Sequence, residues 1–316
     1  MSDVMRERFT TVVSSALDAD PRVAVVLADV GVSRFEASGA ALRHPERVVN
    51  VGIREQLLVS VAAGMALEGM RPVVHSYAPF LVERPFEQVK LDLGHQDVGA
   101  VLVSVGASYD AAAEGRTHQS PGDVALLATL PGWTIQVPGH PDELEAMLEA
   151  ALAGDGRVYI RLTEETNAHA YDEWRLQVVR RGSVGTPFVL AVGPTLDPVL
   201  EATAGLDVTV AYVATVRPFD TAGLRAAVQG SDLVLVEPTL AGTSAAEVSA
   251  ALSDRPHRLA ALGVGNVELR RYGTGAEHRA AHGLDAAGIR RSLDAFLAEA
   301  HYPAVGVAPG RDSGRL

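Results

Sequence analysis

The chain has 316 residues, enough for two domains of ordinary size, and 47% of them are hydrophobic, so a substantial core is available. Its 39 acidic residues outnumber 27 Lys and Arg, giving a net charge of −12, and the basic residues are scattered; this argues against nucleic acid and anionic membrane as partners. There is no cysteine, which excludes a disulfide framework and a thiolate metal site. The start, MSDVMRERFT, is charged and lacks an apolar signal core, and no apolar run approaches membrane-spanning length, so the expected location is cytoplasmic.

In chain order, a helix over 4–18 ends at Asp20-Pro21, before the buried strand VAVVLAD and a polar, Gly-containing loop. Short apolar runs at 73–76, 98–105, 133–137 and 157–162 then alternate with helical stretches at 53–68, 81–93, 123–130 and 142–153. Pro141, Asp142 as N-cap and Glu145 form a capping-box start for the last of these. The charged, aperiodic stretch 166–184 reads as a linker between a first domain, 1–165, and a second, 185–302. The second domain has expected strands at 188–192, 208–214, 233–237 and 258–262 and helices near 195–204, 220–229, 243–253 and 285–299. The Gly- and Pro-rich tail 303–316 is expected to be disordered. Strands alternating with helices imply an α/β fold: two consecutive domains with mainly parallel sheets covered by helices.

The stretch 48–69 carries the main conflict in the sequence. From Leu57 to Leu67 the helix has no charge, and Ser60 is its only polar side chain, so it is expected inside the protein. Yet its first turn holds Glu55, which is costly to bury without a partner. Either the carboxylate complements the helix dipole with its head in water, or it is buried and shares a proton with a ligand nitrogen.

VGIREQ followed by AAGMALEG resembles the segment around the glutamate of transketolase-like, thiamine-diphosphate-dependent enzymes. Four further segments fit that family in order. In RERF and LADVGVS, Arg6, Asp29 and Ser33 match positions lining the cofactor and sugar-phosphate site. In HSYAPFLVERPFEQV, Phe80 matches the residue that packs on the aminopyrimidine and Tyr77 lies beside it, a role suited to offset stacking. In EGRTHQ, His118 matches a group that hydrogen-bonds the substrate, while Glu114 stands where the family has Asp, after a plain Ala111-Ala112-Ala113 run. In VYIRLTEE, Arg161 matches the family's arginine for a substrate phosphate or carboxylate, a role its planar fork suits.

The family's Gly-Asp-Gly and later Asn, which hold magnesium and the cofactor's diphosphate, are missing. The resemblance therefore implies the pyrimidine-binding and C-terminal domains of a split transketolase, with Mg2+ ligands supplied by an N-terminal partner subunit, homodimerisation and an α2β2 assembly. The implied reaction is transfer of a two-carbon ketol unit, with Glu55 and His118 catalytic. The rival readings are the beta subunit of a 2-oxo-acid dehydrogenase and a non-catalytic regulatory subunit. GVGNVE at 263–268 lacks the third Gly of a dinucleotide fingerprint, and His278 and His282, four apart before Gly283, read as a solvated pair.

Overall fold

The computed structural model describes residues 4–268 and 270–299; the tail 303–316 lies outside the described residues. Twelve strands form two sheets among the described residues. The first sheet takes β1 (Val23–Leu27), β2 (Val48–Asn50), β3 (Arg71–Tyr77), β4 (Val101–Val105), β5 (Trp133–Gln136) and β6 (Arg157–Arg161). The second takes β7 (Gln177–Arg180), β8 (Phe188–Val192) and β9 (Thr209–Val213), and β10 (Thr215–Arg217) returns to the first before β11 (Asp232–Leu240) and β12 (Arg258–Val264) complete the second. The orders are β10-β5-β6-β4-β3-β1-β2 and β12-β11-β8-β9-β7, and every pairing is parallel except those of the edge strands β10 and β7.

Parallel strands covered on both faces should be apolar throughout, and β1 and β4 are buried at every residue. Their side chains divide by alternation. Val25, Leu27, Val73 and Val103 face the helices Val4–Ala19 and Pro141–Ala153, whose Phe9, Val13, Leu144 and Leu148 complete that layer. Val26, Val74 and Leu102 face the opposite layer, with Leu58, Val59 and Ala62 of the helix Glu55–Leu67.

Several expectations change. The helix Glu55–Leu67 is not apolar-in on all sides: Leu58, Val59, Ala62 and Ala63 are buried, but Leu57 and Leu67 are 42% and 56% exposed, as is Ile53 (71%) just ahead of it. The helix expected over 81–93 is a chain of short turns, with wide π turns at Pro79–Glu83 and Val89–His95 around Phe86–Gln88. His140, not Asp142, caps Pro141–Ala153, because Pro141 already occupies the first helical position; Asp142 and Glu145 instead hold Arg8. The loop after β1 contains two short helices, Val32–Ala37 and Ala40–Arg43. The stretch read as a linker supplies β7, and the TVR of TVRPFD is β10, clasped to the edge of the first sheet.

Candidate active site

In an open parallel sheet, ligands bind beyond the C-terminal strand ends. Asp29 follows β1, Tyr77 ends β3, Gly106 follows β4 and Arg161 ends β6, so the segments singled out in the sequence lie along one edge of one sheet.

Glu55 is 2% exposed. Its Oε2 accepts from Arg84 Nη1 at 2.7 Å, and among the described residues Oε1 accepts no hydrogen bond. Arg84 also lies over the Phe80 ring, 4.2 Å from guanidinium carbon to centroid, so one cation joins the carboxylate to the aromatic group. Phe80, Tyr77 and His118 form a mutual edge-to-face cluster with centroids 6.0, 5.1 and 5.0 Å apart. The Thr117 hydroxyl meets His118 Nδ1 at 2.9 Å, which fixes the ring and leaves Nε2 for another partner.

Gly106 makes this cluster possible. It adopts φ 71°, and a Cβ there would collide with the Tyr77 ring and come within 2.9 Å of the His118 carbonyl oxygen. The π turn after Tyr77 adds a residue per turn, a device frequent at functional sites, and places Arg84 between Glu55 and Phe80.

Arg6 lines a small cleft of about 40 Å³ with Tyr77, Gly106, Asp110, Thr163 and Glu164. Burial pushes the Asp110 carboxyl well above the usual range. Asp29, in a left-handed conformation (φ 61°), exchanges hydrogen bonds with Asn50: the Asp29 N–H donates to Asn50 Oδ1 at 3.0 Å, and the Asp29 Oδ1 accepts from Asn50 Nδ2 at 2.9 Å. Ser33 and Glu114 are exposed, on Val32–Ala37 and on the 3-10 turn Ala112–His118.

Arg161, expected as an anion-binding group, stands at the end of β6. It is fully buried, its Nε donates to Asp123 Oδ2 at 2.7 Å, and its Nη2 to Ser108 Oγ at 2.6 Å. The same Asp123 oxygen accepts from the Tyr159 hydroxyl at 2.6 Å. The Arg161 charge is compensated by Asp123, not by Glu164 or Glu165, a pairing that braces β6 against the helix Asp123–Leu127, while its buried Nη1 has no hydrogen-bond partner among the described residues.

Sequence reasoning also missed His75, a fully buried residue of β3. Its Nδ1 meets the Val103 carbonyl at 2.8 Å, its ring packs on Phe9 at 4.5 Å, and burial followed by the Arg6 charge pushes its pKa down to about 3. A His directly after the apolar pair Val73-Val74 in a strand buried at nearly every position was the available signal. His278 is 1% exposed and not part of a solvated pair.

Residues 4–168 match the family described as transketolase, pyrimidine binding domain. The chain belongs to the transketolase family. It is 53% identical to an uncharacterized 33.6 kDa protein in the fasciation locus of Rhodococcoides fascians, over 92% of this chain and 93% of that one. It is 30% identical to one subunit of the apulose-4-phosphate transketolase of Actinobacillus succinogenes, over 92% and 96%. Its fold is similar to that of a split-gene transketolase solved as an inactive beta4 tetramer, with TM-score 0.79, 24% identity, and coverage of 93% and 98%.

Proposed function

We propose that this chain is the pyrimidine-binding subunit of a two-component, thiamine-diphosphate-dependent transketolase that moves a two-carbon ketol unit from a ketose or ketose phosphate to an aldehyde. The carrying observation is Glu55, a buried carboxylate with one oxygen held by Arg84 and the other without a hydrogen-bond partner among the described residues, next to half-buried aromatic rings. That donor set fits the aminopyrimidine end of the cofactor. The bound cofactor supplies an electron sink for carbon–carbon cleavage.

Glu55 Oε1 holds a proton shared with a ring nitrogen, and Arg84 keeps the carboxylate in place. Phe80 and Tyr77 give an apolar wall that orients the ring and excludes water. His118, fixed by Thr117, presents Nε2 to a substrate hydroxyl or carbonyl oxygen, and Arg6, Asp29, Ser33 and Glu114 flank the approach. Among the described residues no group of three or more His, Asp or Glu could hold a metal ion. We assign Mg2+ and the diphosphate to an N-terminal partner subunit in a cytoplasmic α2β2 assembly; the match, over nearly its whole length, to a relative that is itself one subunit of a transketolase supports that division.

The test is reconstitution with a partner carrying the Gly-Asp-Gly and Asn motif. The pair should form a new ketose from a ketose donor and an aldose. Release of carbon dioxide from pyruvate in its place would move the reaction to the 2-oxo-acid class.

A further inference from the structure

The loop that carries His118 has a second face. There it meets residues 264–268, His278 and His282 of the C-terminal unit around an open cavity of about 340 Å³, at the lower end of the range of about 300–1,000 Å³ typical of small-ligand pockets. None of Glu55, Tyr77, Phe80 or His118 lines it. Two of its lining residues, one from each unit, carry a buried nitrogen with no hydrogen-bond partner among the described residues: Nε2 of Gln119, a residue 5% exposed, and Nε2 of His278, one 1% exposed. Buried polar groups are nearly always satisfied, so such a pair at one cavity calls for an occupant.

The lining defines the occupant's chemistry. Burial lowers the pKa of both His278 and His282, so the rings are neutral at physiological pH. The Gly265 N–H donates to His282 Nδ1 at 3.2 Å, which leaves that ring's Nε2 as an N–H donor. The Tyr109 ring runs nearly parallel to both imidazoles, at 6.2 and 6.1 Å and 14° and 19°, and forms a flat wall. Two carboxylates, Glu83 and Glu268, line the cavity; the cation among the described lining residues, Arg116, is held by the Gln119 carbonyl at 2.6 Å and faces Glu268 at 3.7 Å. An anion would be repelled there, and an apolar molecule would leave the orphaned groups unpaired.

We propose that this interdomain cavity binds a neutral, polyhydroxylated molecule of monosaccharide size, its hydroxyls pairing with Gln119, His278 and His282 and its C–H face packing on Tyr109. The site is independent of the thiamine-dependent reading. Its occupant ties the His118 loop to the C-terminal unit, which already touch where Tyr272 covers Gly115; a Cβ at Gly115 would lie 2.7 Å from Tyr272 Cε1.

The test uses the full chain with isotope-labelled histidine rings, titrated with D-ribose and separately with inorganic phosphate while the His278 and His282 signals are followed by NMR. D-ribose should shift both signals saturably and phosphate should not. Asn266→Trp, a plug at the exposed rim, and His278→Leu, read through His282, should each weaken the apparent affinity by about tenfold or more. Thermal melts check that the variants fold, and if His278→Leu does not, Asn266→Trp decides alone. Unmoved signals with D-ribose, a phosphate response equal to the D-ribose response, or D-ribose affinity unchanged by the plug would each overturn the proposal.

Discussion

Glu55 is the side chain on which the proposed chemistry turns. Glu55→Gln keeps shape and an acceptor for Arg84, itself 41% exposed, so stability should change by less than about 1 kcal/mol. The ability to take and return a proton is lost. In the reconstituted complex, exchange of the thiazolium C2 proton should therefore fall by orders of magnitude; exchange at the wild-type rate would remove Glu55 from the mechanism. Glu237 makes a different prediction, about stability. It is 1% exposed in β11, and burial pushes its carboxyl up to about 7, against a Ser244 N–H that donates to it at 3.2 Å. The folded state thus holds a proton that the unfolded chain releases near its ordinary value of 4.5. The stabilisation is full below that value and is lost as pH rises through about 7, a change of about 3 kcal/mol over the window. Urea unfolding between pH 4.5 and 8 should show stability falling with pH, and Glu237→Gln should flatten the slope by that amount.

The helix Glu55–Leu67 shows what a linear pattern can and cannot tell. Its apolar composition was legible, but not that only one side would be buried within this chain. Leu57, Gly64 and Leu67, at i, i+7 and i+10, are exposed on one side of the helix, and Ile53 is exposed just ahead of it. Exposed apolar side chains grouped on one side mark a contact surface, so this side is a natural contact for the proposed partner chain or a second copy. Leu57→Glu should leave the fold intact and weaken assembly by about tenfold or more, measured by sedimentation at matched concentrations; undiminished assembly would place the interface elsewhere. Strands such as Phe188–Val192 were readable because a short run of five consecutive apolar residues bounded by Pro187 and Gly193 has few other uses. The π turns at Pro79–Glu83 and Val89–His95 were not, since their composition matches an ordinary helix and only the extra residue per turn differs. Glu55, Tyr77, Phe80 and His118 stood out by type and order. The partners that define Arg84 and Arg161 did not, because they lie 29 and 38 residues away in sequence and meet only through the sheet.

Across the whole chain, the two sheets are bound more closely than a boundary near residue 165 suggests. β10 leaves the second sheet to pair with β5 at the edge of the first, with Val216 only 2% exposed. Beneath it, Glu143 of the helix Pro141–Ala153 accepts from the Tyr212 hydroxyl of β9 at 2.6 Å and from the Gly139 N–H at 2.8 Å through Oε2, and from the Tyr171 N–H at 2.9 Å through Oε1. Glu143 is 2% exposed, so each of these donors compensates a carboxylate withdrawn from water. Cutting the chain at residue 184 would remove β10 and Tyr212 together. It would bare the edge of β5, an open template for strand pairing between molecules, and would leave Glu143 with fewer donors. The fragment 1–184 should therefore aggregate or melt well below the full chain, although it retains the segment that matches the pyrimidine-binding family. Tyr212→Phe in the full chain isolates the polar part, since it keeps the strand and the ring and deletes one hydrogen bond to a buried charge, at a cost of about 1.5–3 kcal/mol. Calorimetry of the three proteins separates the contributions. A fragment 1–184 that stayed monomeric and melted with the full chain would show that the first sheet does not depend on the strand lent to it.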